Sequence, residues 1–77
     1  MNYKNGIKVR AGDKVIIDDC FDGVVVFCID NDEYLDEFPK NEWAYLKTGM
    51  MIKCSKYGLV HCESMDDDIE FVARYEI

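Results

Sequence analysis

Gly12-Asp13-Lys14-Val15-Ile16-Ile17-Asp18 and, after Asp19-Cys20-Phe21-Asp22, Gly23-Val24-Val25-Val26-Phe27-Cys28-Ile29-Asp30 decide the fold. Lys14 to Asp18 reads as a short β-branched strand leaving a Gly12-Asp13 turn. Val24 to Asp30 reads as a second strand, apolar almost throughout, which implies burial on both of its faces. Asp22-Gly23 is the turn signal between them, although Asp18-Asp19-Cys20-Phe21 ahead of it leaves a tight two-residue hairpin unsettled.

Further strands follow outward from this pair. Met50 to Ser55 and Leu59 to Glu63 flank Lys56-Tyr57-Gly58, where glycine supplies the positive φ that a hairpin turn often needs. Ile69 to Tyr75 sets Ile69, Phe71, Ala73 and Tyr75 against Glu70, Val72, Arg74 and Glu76, the period of a half-buried closing strand. Pro39 to Lys47 is the one helical candidate, with proline in the first turn and Gly49 as the stop. Trp43 and Leu46 share a face of that helix, with Phe38 close enough to join them, so Trp43 is expected in the core and Tyr45 outside it. The expected fold is therefore mainly β: a small, strongly bent antiparallel sheet, or a partly open barrel, of about five strands with one short helix.

Gly12-Asp13-Lys14-Val15 followed by Gly23-Val24-Val25-Val26 resembles the opening two strands of SH3-like small barrels. The likeness covers about 20 residues and implies the fold of a binding module for proteins or nucleic acids, without fixing a function. The stretch from Asp30 to Gly49 departs from the compact loop of many such domains.

The chain has 77 residues, of which 49% are apolar, 32% charged and 13% aromatic, so a single folded domain over residues 1–77 is expected. Met1 to Arg10 contains no apolar targeting core, and the longest apolar run, Val24 to Ile29, is far short of the roughly 20 residues that span a bilayer. A cytoplasmic protein with four reduced cysteines and no membrane contact follows as the expectation.

Sixteen acidic residues against nine basic ones give a net charge of -7, which opposes direct nucleic-acid binding through Lys8 and Arg10, read here as sharing a strand face. That charge is divided into blocks: +3 over residues 1–17, -8 over 18–37, +3 over 38–62 and -5 over 63–77. A solvated surface accounts for such blocks, and so does an acidic binding face.

The residues offer little chemistry. Cys20, Cys28, Cys54, His61 and Cys62 suffice in number for zinc, but there is no C-x-x-C knuckle, and His61 and Cys62 point to opposite faces of a strand. Small buried apolar cysteines are the simpler reading, and no metal or other cofactor is expected. His61 is the only histidine and has no thiol beside it on its face, so a Cys-His nucleophile is not expected either. Asp30-Asn31-Asp32-Glu33 begins like a calcium loop but continues with Tyr34 and Leu35 where an oxygen ligand and glycine are required. The chain is read as a non-enzyme.

What remains is recognition. Asp30, Asp32, Glu33, Asp36 and Glu37, interrupted by Tyr34 and followed by Tyr45, combine a charged rim with aromatic anchors. Asp66, Asp67 and Asp68 form a second acidic patch. The expected function is a small acidic protein-binding module that occupies a basic, nucleic-acid-binding surface of a partner, as an inhibitor. In size, charge and single-domain economy the chain resembles phage-encoded anti-CRISPR and anti-restriction proteins and antirepressors. An assembly adaptor that binds through its sheet edge, and a cysteine-based zinc or redox protein, are the alternatives.

Overall fold

The computed structural model describes residues 1–74. It is mainly β, with strands β1 (Asp13–Ile17), β2 (Phe21–Cys28), β3 (Glu33–Tyr34), β4 (Met50–Cys54), β5 (Gly58–Cys62) and β6 (Ile69–Arg74). All pairings are antiparallel, in the order β5-β4-β2-β1-β6, with the two-residue β3 added beside β2. The sheet is open and bent, a meander whose last strand returns to pair with its first. The expected Tyr75 and Glu76 positions of the closing strand lie outside the described residues.

The β1–β2 connection differs from the sequence reading. Asp18 and Asp19 take left-handed conformations, φ 56° and 61°, and make the turn, while Asp22 and Gly23 lie inside β2. Aspartate tolerates that region better than most residues do. Gly23 serves packing instead: a Cβ there would lie 2.6 Å from Ile52 Cγ2 and 3.5 Å from Val15 Cγ2.

One bulge explains the apolar run in β2. Val25 pairs with Ile52 and Phe27 with Met51, so Val26 is the extra residue. Val25 and Cys28 then join the main core with Val9, Val15, Met50, Ile52 and Ile69, while Val26 and Phe27 face a second cluster with Met51 on the opposite side. The second cluster is covered by the 29–48 connection through Tyr34, Leu35, Phe38, Trp43 and Leu46.

The helix in that connection is shorter than expected. A single α turn, α1 (Lys40–Trp43), starts after Pro39 and passes into a 3₁₀ turn over Ala44–Leu46, which ends at Lys47 with φ 72°. One uncapped turn cannot stand alone, so packing of Phe38 and Trp43 on Phe27, with ring centroids 6.4 and 5.6 Å away, must hold it.

The N-terminal segment folds back as a loop, with Val9 N–H bonded to Met1 O and Tyr3 N–H to Ile7 O. Lys8 sits in an isolated bridge with Asn2 rather than in a strand, and Arg10 lies outside any strand, so the two do not share a strand face. Beneath the loop Asp13 is completely buried. Its carboxylate accepts from Tyr3 Oη at 2.7 Å, Arg10 N at 2.9 Å and Arg74 Nε at 2.8 Å, so the buried charge is paired and saturated with donors. Burial pushes the Asp13 carboxyl up, and the hydrogen bonds from Arg74, Tyr3 and the Arg10 amide outweigh it, holding the group below its ordinary value. Among the described residues no helix is long and apolar enough to cross a membrane.

Candidate acidic binding face

Three of the five acids between Asp30 and Glu37 have partners inside the fold. Asp30 Oδ1 accepts the Gly49 N–H at 3.0 Å, tying the connection to the start of β4. Asp32 lies 2.8 Å from Lys40 Nζ, and Glu33 2.8 Å from Arg10 Nη2 with a further bond from Arg10 Nε at 3.1 Å. The hydrogen bonds from Arg10 hold the Glu33 carboxyl below its ordinary value. Tyr34 is half-buried, its ring stacked on Phe27 at 5.4 Å. The segment is thus tied to β2 by Tyr34, to the residue before β4 by Asp30 and to the N-terminal loop by Glu33, while the Asp32–Lys40 ion pair braces the connection internally.

Asp36 and Glu37 remain exposed and, among the described residues, make no ion pair. They border a half-open groove with Leu35 and Phe38 on one side and Val24, Val26 and Lys53 on the other. Tyr45 is 70% exposed, and its ring lies 6.4 Å from that of Trp43 and nearly parallel to it. Trp43 packs against Phe27 as expected of a core residue, yet its Nε1 is buried with no hydrogen-bond partner among the described residues.

The second patch is larger than its sequence suggests. The β1–β2 turn lies against the loop before β6, where Asp18 N–H donates to Asp68 O at 3.0 Å and Asp68 N–H to Asp66 Oδ1 at 3.1 Å. Asp18 and Asp19 thereby join Asp66, Asp67 and Asp68 in one exposed pole. Asp66 first, and then Asp18, raise the Asp68 carboxyl above its ordinary value by like-charge repulsion. Tyr57 Oη donates to Asp18 Oδ2 at 3.3 Å, while the neighbouring Lys56 sits over the Phe21 ring, 4.5 Å from its centre. No ion pair neutralises the pole among the described residues.

Asp18 and Asp19 are the residues that sequence reasoning missed here. The available signal was their position before a β-strand in the most acidic block; the antiparallel pairing of β1 with β6 that carries them to Asp68 has no local signature.

The cysteines are dispersed. Cys28 and Cys54 are buried, Cys62 is half-buried and Cys20 is exposed on the β1–β2 turn. His61 lies opposite Met51 and donates to Thr48 O at 2.9 Å, whereas Cys62 packs into the main core. Among the described residues no three of His, Cys, Asp and Glu converge as a metal site, the acidic pole included. Compared with protein-family models, curated proteins and solved structures, the chain matches none of them.

Proposed function

We propose that this chain is a cytoplasmic, non-catalytic protein-binding domain of SH3-like kind that presents its acidic pole to a basic partner surface. By covering a surface that the partner uses for nucleic acid, it would act as an inhibitor, in the manner of an anti-defence protein or antirepressor. The observation that carries this reading is the unneutralised convergence of Asp18 and Asp19 with Asp66, Asp67 and Asp68. A fold that holds like charges together gains when an opposite charge arrives, and the field of such a pole steers cationic partners toward it.

The test is capture of a basic partner by the immobilised protein as salt is raised. At about 0.1 M salt charges reach roughly 10 Å, and at 1 M about 3 Å, so capture should fall steeply over that range. Changing Asp66, Asp67 and Asp68 together to Asn should abolish it, and the partner that the wild-type protein captures should lose nucleic-acid binding in the presence of wild type but not of this variant. Capture indifferent to salt and to these substitutions overturns the reading. It would favour instead an adaptor using the outer edge of β5, which among the described residues pairs with β4 alone and leaves Leu59 46% exposed.

A further inference from the structure

The groove beside Asp36 and Glu37 has a polarity of its own. Its floor is apolar, with Val24 and Val26 from β2 and Leu35 and Phe38 from the connection. Its volume is about 340 Å³. The acids stand on the side of the connection, and Lys53 stands on the sheet side. Strand register places Lys53 directly beside Val24, and Lys14 on the other side of the same valine. Neither lysine makes an ion pair among the described residues. A second hollow, sharing Val24 and Lys53 with the first, continues toward Lys14, Asp22 and Ser55.

The surface therefore runs from the carboxylates of Asp36 and Glu37 across an apolar floor to the ammonium groups of Lys53 and Lys14, with the Asp22 carboxylate at that same end. The start of the 29–48 connection is held by Asp30, Glu33 and Tyr34, and the groove wall itself by the Leu35 N–H, which donates to Val26 O at 3.0 Å, and by Phe38 packed on Phe27, so the groove is preformed. Asp36 and Glu37 are the acids of this segment left unpaired, and they are the ones that border the groove.

We propose that this groove binds an extended segment of a protein partner in which a bulky apolar residue lies between a basic residue and an acidic one. The apolar side chain covers Val24, Val26 and Phe38, the base faces Asp36 and Glu37, and the carboxylate faces Lys53 and Lys14. Like charges in the reverse order meet repulsion at both ends, which fixes the direction in which the segment lies. This deepens the protein-binding reading and rests on it for the class of partner, but it uses a different surface from the acidic pole.

The test is a titration of isotope-labelled protein, followed by NMR, with a blocked nonapeptide carrying two arginines, a leucine and two glutamates in that order. Amide shifts should centre on Val24, Val26, Leu35 and Phe38. Affinity should fall about tenfold when the leucine becomes serine, and about tenfold for the double variant Asp36→Lys, Glu37→Lys. A peptide with its arginines changed to glutamate should recover binding to that variant, a compensation that general damage to the fold cannot produce. Substituting Asp66, Asp67 and Asp68 with Asn should leave the peptide affinity unchanged.

Shifts confined to the Asp18 and Asp66–Asp68 loops overturn the groove proposal while leaving the acidic-pole reading intact. So does affinity indifferent to the leucine, or no shift at millimolar peptide. Groove shifts that grow with protein concentration alone assign the site to a second copy of the chain, and overturn it as well.

Discussion

Arg74 donates its Nε–H to Asp13 Oδ1 over 2.8 Å, joining β6 to the start of β1 across 61 positions of sequence. The same guanidinium reaches Lys8 O through Nη2 at 2.6 Å, so one side chain clamps the last described strand, the first strand and the N-terminal loop. Asp13 is fully buried and Arg74 is not, which makes the two ends of the pair unequal.

Replacing Arg74 with Met should therefore cost about 3 kcal/mol, because it strands a buried carboxylate. Tyr3→Phe should cost about 1.5 kcal/mol through one lost hydrogen bond to a charged group. Urea unfolding at neutral pH measures both. Because the folded Asp13 carboxyl titrates below its ordinary value, its stabilisation is present above the unfolded pKa and is lost as pH falls through the lower, folded one. The gap between wild type and Arg74→Met should narrow over that acid window; a gap independent of pH would show that the ion pair is not the source.

Gly49 is the most constrained backbone position in the site's support. Its φ is 94°, and a Cβ would collide with the Cys62 carbonyl oxygen and lie 2.8 Å from Glu63 Cα. Both obstacles are backbone, and the Gly49 amide also holds Asp30. Gly49→Ala should cost about 2 kcal/mol or more and loosen the 29–48 connection. Thermal unfolding together with amide exchange over residues 29–48 checks both parts.

The Asp68 carboxyl should titrate above the ordinary aspartate range, since Asp66 and Asp18 resist its ionisation. The sign is opposite to that of Asp13. A carboxyl raised by folding contributes stability below its unfolded pKa and loses it as pH rises through the folded value. Asp68→Asn should thus stabilise the protein at neutral pH, with less benefit in high salt. Carbon-detected NMR titration and unfolding at two salt concentrations provide the measurements; destabilisation by the substitution would contradict the repulsion.

Two effects compete at Trp43. Removing its indole loses contact with Phe27 and Phe38, but it also removes a buried N–H that has no acceptor among the described residues, which costs about 1–3 kcal/mol while present. Trp43→Phe should consequently change stability by no more than about 1 kcal/mol, well short of an ordinary Trp truncation at about 3–5 kcal/mol. Denaturation followed by circular dichroism decides between them.

Thiol reactivity should separate the four cysteines. Cys20 is exposed, Cys28 and Cys54 are buried, and burial raises the thiols of Cys28 and half-buried Cys62. Iodoacetamide should modify Cys20 first and the buried pair only on unfolding, and Cys20→Ser should remove the fast phase. Peptide mass spectrometry reads the order.

By itself, the sequence determined what depends on neighbours along the chain. Alternation placed Ile69 inside and Glu70 and Val72 outside in β6, the apolar run in β2 required burial on both faces, and Trp43 and Tyr45 separated into packed and exposed rings. The tertiary structure decided which carboxylates are free. Strand pairing carries Arg74 to Asp13 and lays Asp18 against Asp68, and the folded-back N-terminal segment puts Arg10 beside Glu33. Charge acts over ångströms of space rather than positions of sequence, so the acidic block from 18 to 37 divided into pinned and unpaired acids only once the sheet had brought their partners near.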